Sequence, residues 1–268
     1  MNTDDDRSGF TLLELSVVLV LIGLLTGAIL AGQELVKASA IRGSISDLEK
    51  YYSAVATFRS KYTGLPGDLT RNKAVEFNLS GPADANATGA VGLRDGNTLI
   101  EGGGPGSTRL IGETALFWKD LGSSGLIGGS YTAAGTTITT GANVTGATSR
   151  SYLPATRFRE NASHFVYSVA GRNFIYLATI TTDAASAVTT LGALTPLEAK
   201  GIDEKTDDGS PTSGSVLSML NLSTPDPGAP AGITACNTNA TPSVYNVTRA
   251  ATGAIDRQVC QLQLRTSF

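Results

Sequence analysis

No charged residue occurs between Leu15 and Ala31, and from Phe10 to Ala31 Glu14 is the only charge among 22 residues. About 20 consecutive apolar residues cross the hydrocarbon core of a bilayer as a helix, so residues 10–31 are predicted to form one of membrane length. Past Ala31 the pattern changes. Ile41, Ile45, Leu48, Tyr52, Val55 and Tyr62 recur at helical spacings, which places them on one apolar stripe. Arg42, Asp47, Glu49, Lys50 and Arg59 fall on the other face. Residues 32–62 are therefore predicted as an amphipathic continuation, and the rod from Phe10 to Tyr62 would be about 80 Å long at 1.5 Å per residue. Leu65-Pro66-Gly67 ends it, because proline lacks the amide donor that a further turn needs. No proline interrupts the apolar half, so a kink near Ala31 would have to come from Gly27 or Gly32.

Downstream the periodicity is local. Asn72 to Thr108 is rich in Gly, Asn, Ala and Ser and is predicted as a long surface loop. Glu113 to Leu121 reads as a short helix bearing Leu116, Phe117 and the only tryptophan, Trp118, which is expected in the core. Tyr131 to Arg150 is a Thr and Gly tract whose Thr-Thr-Ile-Thr-Thr centre suits a strand. His164 to Ala170 and Asn173 to Ile180 flank Gly171-Arg172 and predict a β-hairpin. Thr195-Pro196-Leu197-Glu198 is a capping box with proline at the first helical position, so a helix should run to about Lys205, where Asp207-Asp208-Gly209 breaks it. Cys260, Leu262 and Leu264 alternate with Gln261, Gln263 and Arg265, the period of a half-buried strand. Together these elements predict an α+β fold in which a long N-terminal helix packs on a C-terminal antiparallel sheet.

Glu14 needs an explanation. A lone carboxylate at membrane depth costs several kcal/mol unless it finds a partner, so it is by default a functional hypothesis. Thr11-Leu12-Leu13-Glu14 also fits a capping box, and an acid in a first turn is favoured by the helix dipole; the two roles are compatible. Gly9-Phe10-Thr11-Leu12-Leu13-Glu14 ahead of the apolar run resembles the class III prepilin signal of type IV pilins and type II secretion pseudopilins. The resemblance implies that prepilin peptidase cuts between Gly9 and Phe10, that Phe10 is N-methylated as the first mature residue, and that Glu14 is the assembly residue. The new ammonium of one subunit and Glu14 of its neighbour would attract strongly in low dielectric. The leader departs from the family: Met1 to Gly9 holds Asp4, Asp5 and Asp6 against Arg7 alone, where basic residues usually mark the cytoplasmic side. The chain then divides into leader 1–9, transmembrane and assembly helix 10–31, amphipathic helix 32–62 and a pilin-like globular head 63–268. Leu65-Pro66-Gly67-Asp68, Phe117 to Leu121 with Gly125-Leu126-Ile127, and Ile202 to Gly209 more weakly resemble a proteobacterial subset of prepilin-like proteins.

This implies a non-enzymatic structural subunit of a type IV pilus or type II secretion pseudopilus, held in the inner membrane by one span and then moved into a periplasmic or extracellular filament. Its partners would be identical or related pilin subunits, prepilin peptidase, membrane lipid before assembly, and an inner-membrane platform with a separate ATPase, since the chain carries no P-loop. A minor pilin at the filament tip is the alternative within the class; a signal-anchored periplasmic binding domain is the alternative outside it, with an enzyme third. A net charge of −3 without a basic cluster does not indicate a nucleic-acid surface, and no cofactor is expected. His164, the one histidine, has no nucleophile signature near it and reads as structural. Cys236 and Cys260 are the only cysteines; in an exported domain an even pair reads as one disulfide, with two buried thiols as the alternative. Asp203, Asp207 and Asp208 are candidates for a hard cation such as calcium, which related pseudopilins bind in a C-terminal loop; the competing reading is an ordinary Asp-Asp-Gly helix stop.

Overall fold

The computed structural model describes residues 11–79, 91–104, 107, 109–132, 149–159, 161–183, 188–221, 224–225, 236–238, 243–247 and 259–268. The chain divides into two compact units, residues 1–40 and 41–268.

The described part of the first unit is Thr11 and the beginning of α1 (Leu12–Tyr62). Its apolar side chains face outward: Leu12 is 88 % exposed, Val20 71 % and Leu24 72 %. An 18-residue window here has a mean hydropathy of 2.5, and none of it is buried. Among the described residues this is the one helix long and apolar enough to cross a membrane. Helical residues continue through Gly27 and Gly32, as expected where no proline removes a donor.

In the second unit the C-terminal half of α1 buries Leu48, Ala54, Val55, Phe58 and Tyr62. α3 (Glu113–Ser123) lies near it, with Trp118 fully buried and its ring edge-on to Tyr51 of α1 at 4.8 Å. The strands are β1 (Ala162–Val169), β2 (Arg172–Asp183), β3 (Val188–Leu191), β4 (Val216–Asn221), β5 (Thr224–Pro225) and β6 (Gln261–Arg265). They form one antiparallel sheet in the order β1-β2-β6-β4-β5, with β3 also paired to β2. The β1–β2 hairpin turns at Ala170 and Gly171, both with positive φ (50° and 72°), the geometry of the two-residue turns that match strand twist. α4 (Pro196–Thr206) starts with its capping box formed: the Glu198 amide donates to the Thr195 hydroxyl and the Thr195 amide to the Glu198 carboxylate. The sheet and helices share an aromatic core in which Tyr51 meets His164 of β1 and Phe117 stacks on Phe268. This is the α+β arrangement read from the periodicity, and it is pilin-like as the N-terminal resemblance implies.

Two segments depart from that reading. Asp47, placed on the solvent face of the amphipathic helix, is buried, because Arg157 donates to both its oxygens at 2.6 and 2.9 Å. The stretch read as a surface loop over 72–108 includes α2 (Arg71–Glu76) and, at 91–104, a segment that buries Arg94, Ile100 and Glu101. Arg94 anchors it: its guanidinium pairs with both oxygens of Asp120 on α3 at 3.0 and 2.9 Å, with both side chains fully buried. Asp120 also accepts from the Gly67 amide at 2.9 Å. Gly67 has φ 80°, and a Cβ there would overlap the Glu113 carbonyl, so only glycine suits this turn. The Thr-Thr-Ile-Thr-Thr strand expected within 131–150 lies outside the described residues.

Candidate processing and assembly site

α1 opens at Thr11, and Glu14 stands in its first turn. The Thr11 amide and hydroxyl both donate to one Glu14 carboxylate oxygen at 2.9 Å, and the Glu14 amide donates to the Thr11 hydroxyl at 3.2 Å. These are the reciprocal bonds of a capping box. They satisfy amides that a helix start otherwise leaves without partners. Glu14 is thus held at the head of the helix with its carboxylate turned back onto Thr11. Gly9 and Phe10 themselves fall outside the described residues.

The other residues singled out from the sequence lie in the second unit. Cys236 and Cys260 are joined in a disulfide and fully buried. The bond ties the segment at 236–238 to the residue that precedes β6. The Asn246 amide donates to the Cys236 carbonyl at 2.9 Å, and the neighbouring Tyr245 hydroxyl donates to Asp203 of α4 at 2.8 Å. Asp203 is buried and its carboxyl is pushed up to about 6, first by burial. Asp203, Asp207 and Asp208 do bring one oxygen each within 4.8 Å of one another. Their oxygens also serve the loop. Asp203 accepts from the Gly209 amide, Asp207 from the Ser215 and Val216 amides, and Asp208 from the Ser210 amide and Ser213 hydroxyl. A cation there would share atoms with those donors.

A second acidic group was not singled out from the sequence. Asp68, Asp95 and Glu113 also place one oxygen each within 4.8 Å of one another. Asp68 accepts from the Gly96 and Thr98 amides at 2.7 Å each. Glu113 accepts from the Arg94, Asp95 and Glu101 amides. Both carboxyls are pushed well up from the ordinary range, first by burial and then by the neighbouring acids. By spacing and donor type the trio suits a hard cation. The local signal was Asp95-Gly96-Asn97 inside a Gly-rich stretch; the other two acids are far from it in sequence. His164 is fully buried, with Nδ1 3.4 Å from the Pro154 carbonyl oxygen, a structural position on β1.

Residues 5–30 match the family model described as the prokaryotic N-terminal methylation motif. No curated protein matches the chain, and no solved structure does. The motif implies processing by prepilin peptidase and assembly with pilin subunits, and with the exposed apolar helix it fits anchoring in the inner membrane. The N-terminus of this chain is the class III prepilin signal of type IV pilins and pseudopilins.

Proposed function

We propose that the chain is a non-enzymatic structural subunit of a type IV pilus or type II secretion pseudopilus, with 1–9 as leader, 10–31 as membrane and assembly helix, 32–62 as its amphipathic continuation and 63–268 as the head. Prepilin peptidase cleaves between Gly9 and Phe10 and methylates the new Phe10 amine. The observation that carries this is Gly9-Phe10-Thr11-Leu12-Leu13-Glu14 set directly before a helix whose apolar residues, Leu12 onward, are exposed. In the membrane, lipid covers that surface; in a filament, the helices of neighbouring subunits do, and the head lies in the periplasm or outside the cell. Subunits related by a rotation that does not close form an open fibre. Glu14 then exchanges its bond from Thr11 for the ammonium of a neighbour's Phe10, where low dielectric strengthens the attraction. Terminal peptide mass spectrometry on protein made with a prepilin peptidase tests the processing step. N-methyl-phenylalanine from Phe10 is the expected terminus; intact Met1, or a cut near residue 30, would contradict it.

The anchored-domain alternative draws on the same Thr11 and Glu14 bonds, since a capped helix start is all that an anchor needs. It predicts no dependence of any assembly on Glu14.

A further inference from the structure

Beyond the 10–31 segment α1 still holds two large apolar side chains in the open: Leu35 is 73 % exposed and Val36 70 %. At 3.6 residues per turn they are neighbours on one helix face, with Gly32 and Ser39 a turn away on either side, while Glu34 and Lys37 fall on the opposite face. Leu35 and Val36 therefore form an apolar knob flanked by small residues. The head has a socket. A pocket of about 420 Å3 opens between α1, the end of α4 and the sheet, with Ile45, Leu48 and Tyr52 of α1, Val216 of β4 and Leu264 of β6 on its wall. The sheet side is fixed by register: Val216 pairs with Leu264, which pairs on its other side with Ile175, so the three share one face. The rim is fixed by the backbone. The Val216 amide donates to Asp207 at 3.0 Å, and the Arg265 amide donates to the Ser215 carbonyl at 2.8 Å. Ile45 and Tyr52 are half-buried and give this ordered wall its open apolar surface.

We propose that this pocket takes Leu35 and Val36 of a second copy of the chain, a contact that rests on the filament reading and names where one subunit grips another. Register supports it. With Glu14 on a neighbour's Phe10, successive copies are displaced by four residues of α1, about 6 Å at 1.5 Å per residue. Three such steps bring a copy's Leu35 and Val36 level with Asp47 and Leu48, and four bring them level with Tyr51 and Tyr52. The α1 wall of the pocket runs from Ile45 to Tyr52, so the third and fourth copies along reach it and the first two do not. The contact is also of the kind that builds a fibre: an apolar knob that fits a pocket elsewhere on the same molecule is heterologous and repeats without closing. Because the wall is already ordered, seating the knob adds little entropic cost. Glu34 and Lys37, on the far side of the helix, stay turned away from the pocket.

The test is disulfide trapping in assembled filaments. The two cysteines of the chain are joined to each other, so engineered thiols report without background. Thr206 lines the pocket and is exposed, which makes it a tolerant partner. The full chain carrying Leu35→Cys and Thr206→Cys is produced with prepilin peptidase, the assembly platform and its ATPase; sheared filaments are then oxidised with copper phenanthroline and run on a non-reducing gel. A disulfide needs Cα atoms within about 7 Å, so only a seated knob is trapped. A ladder of covalent multimers is expected, and Val36→Cys with Thr206→Cys, the second pair, should give one too. Lys37→Cys with Thr206→Cys, on the opposite face, should give at least ten-fold less, and Leu35→Cys alone should stay monomeric. Filaments without a ladder from either pair, an equal ladder from Lys37→Cys, or dimers from Leu35→Cys alone, which would mean that knob packs on knob, would each overturn the pocket contact. Failure of the parent chain itself to enter filaments would instead reject the filament reading, and the contact with it.

Discussion

His164 shows how a single side chain sets a pH dependence. Burial pushes its pKa down to about 4, whereas an unfolded histidine titrates near 6.5. As pH falls through 6.5 the unfolded chain takes up a proton that the folded chain refuses until about pH 4, so the contribution of His164 to stability is lost across that window. A shift of this size is worth about 3 kcal/mol. The ring is fully buried against Tyr51, so an apolar ring of similar shape can replace it. His164→Phe is expected to flatten the acid side of the stability profile between pH 6.5 and 4, and at pH 8 to cost no more than about 1 kcal/mol for the lost bond to the Pro154 carbonyl. Thermal unfolding midpoints across that range decide it; parallel profiles for parent and variant would show that His164 does not set the slope.

At the scale of elements, the segment at 91–104 depends on the pair between Arg94 and Asp120. Removing one partner of a buried pair leaves an uncompensated charge and costs about 3–5 kcal/mol. Arg94→Met should therefore destabilise the head by that order and open the segment to protease first, with cleavage between 91 and 104 as the readout; unchanged cleavage and midpoint would refute the anchoring role. This pair also explains what the sequence concealed. The β1–β2 hairpin, the helix at α4 and the strand at β6 were legible because their signals are local: two runs of β-forming residues flanking Gly171-Arg172, a capping box at Thr195, and period two after Cys260. Arg94 and Asp120 are 26 residues apart, and Arg157 lies 110 from Asp47, so no periodicity reports them. Asp47 reads as a solvent-facing charge until its partner is placed beside it. The trio of Asp68, Asp95 and Glu113 leaves no periodic signal for the same reason. Glu14 and its cap, by contrast, rest on four consecutive residues.

For the whole molecule, the disulfide closes a loop across 24 residues of sequence separation and holds Tyr245 against Asp203. On the chain-entropy model such a loop contributes about 3 kcal/mol, which for a domain of this size corresponds to about 6–12 °C in the unfolding midpoint. Reduction, or Cys236→Ser with Cys260→Ser, should lower the midpoint by that amount; a midpoint insensitive to reductant would contradict it. The central claim concerns the apolar helix and its one acid. If Glu14 pairs with a neighbour's Phe10 ammonium, Glu14→Val leaves insertion intact, because a less polar helix enters the bilayer more readily. It also strands the neighbour's ammonium in a low-dielectric core. A capping role alone costs only about 1 kcal/mol of helix stability and affects assembly no more than any other weak helix start. The most direct measurement is the amount of Glu14→Val subunit recovered in sheared filaments, set against its level in the membrane fraction. The account predicts parent-like membrane levels with incorporation abolished or sharply reduced; incorporation at the parent level would contradict it and leave an anchored domain as the better description.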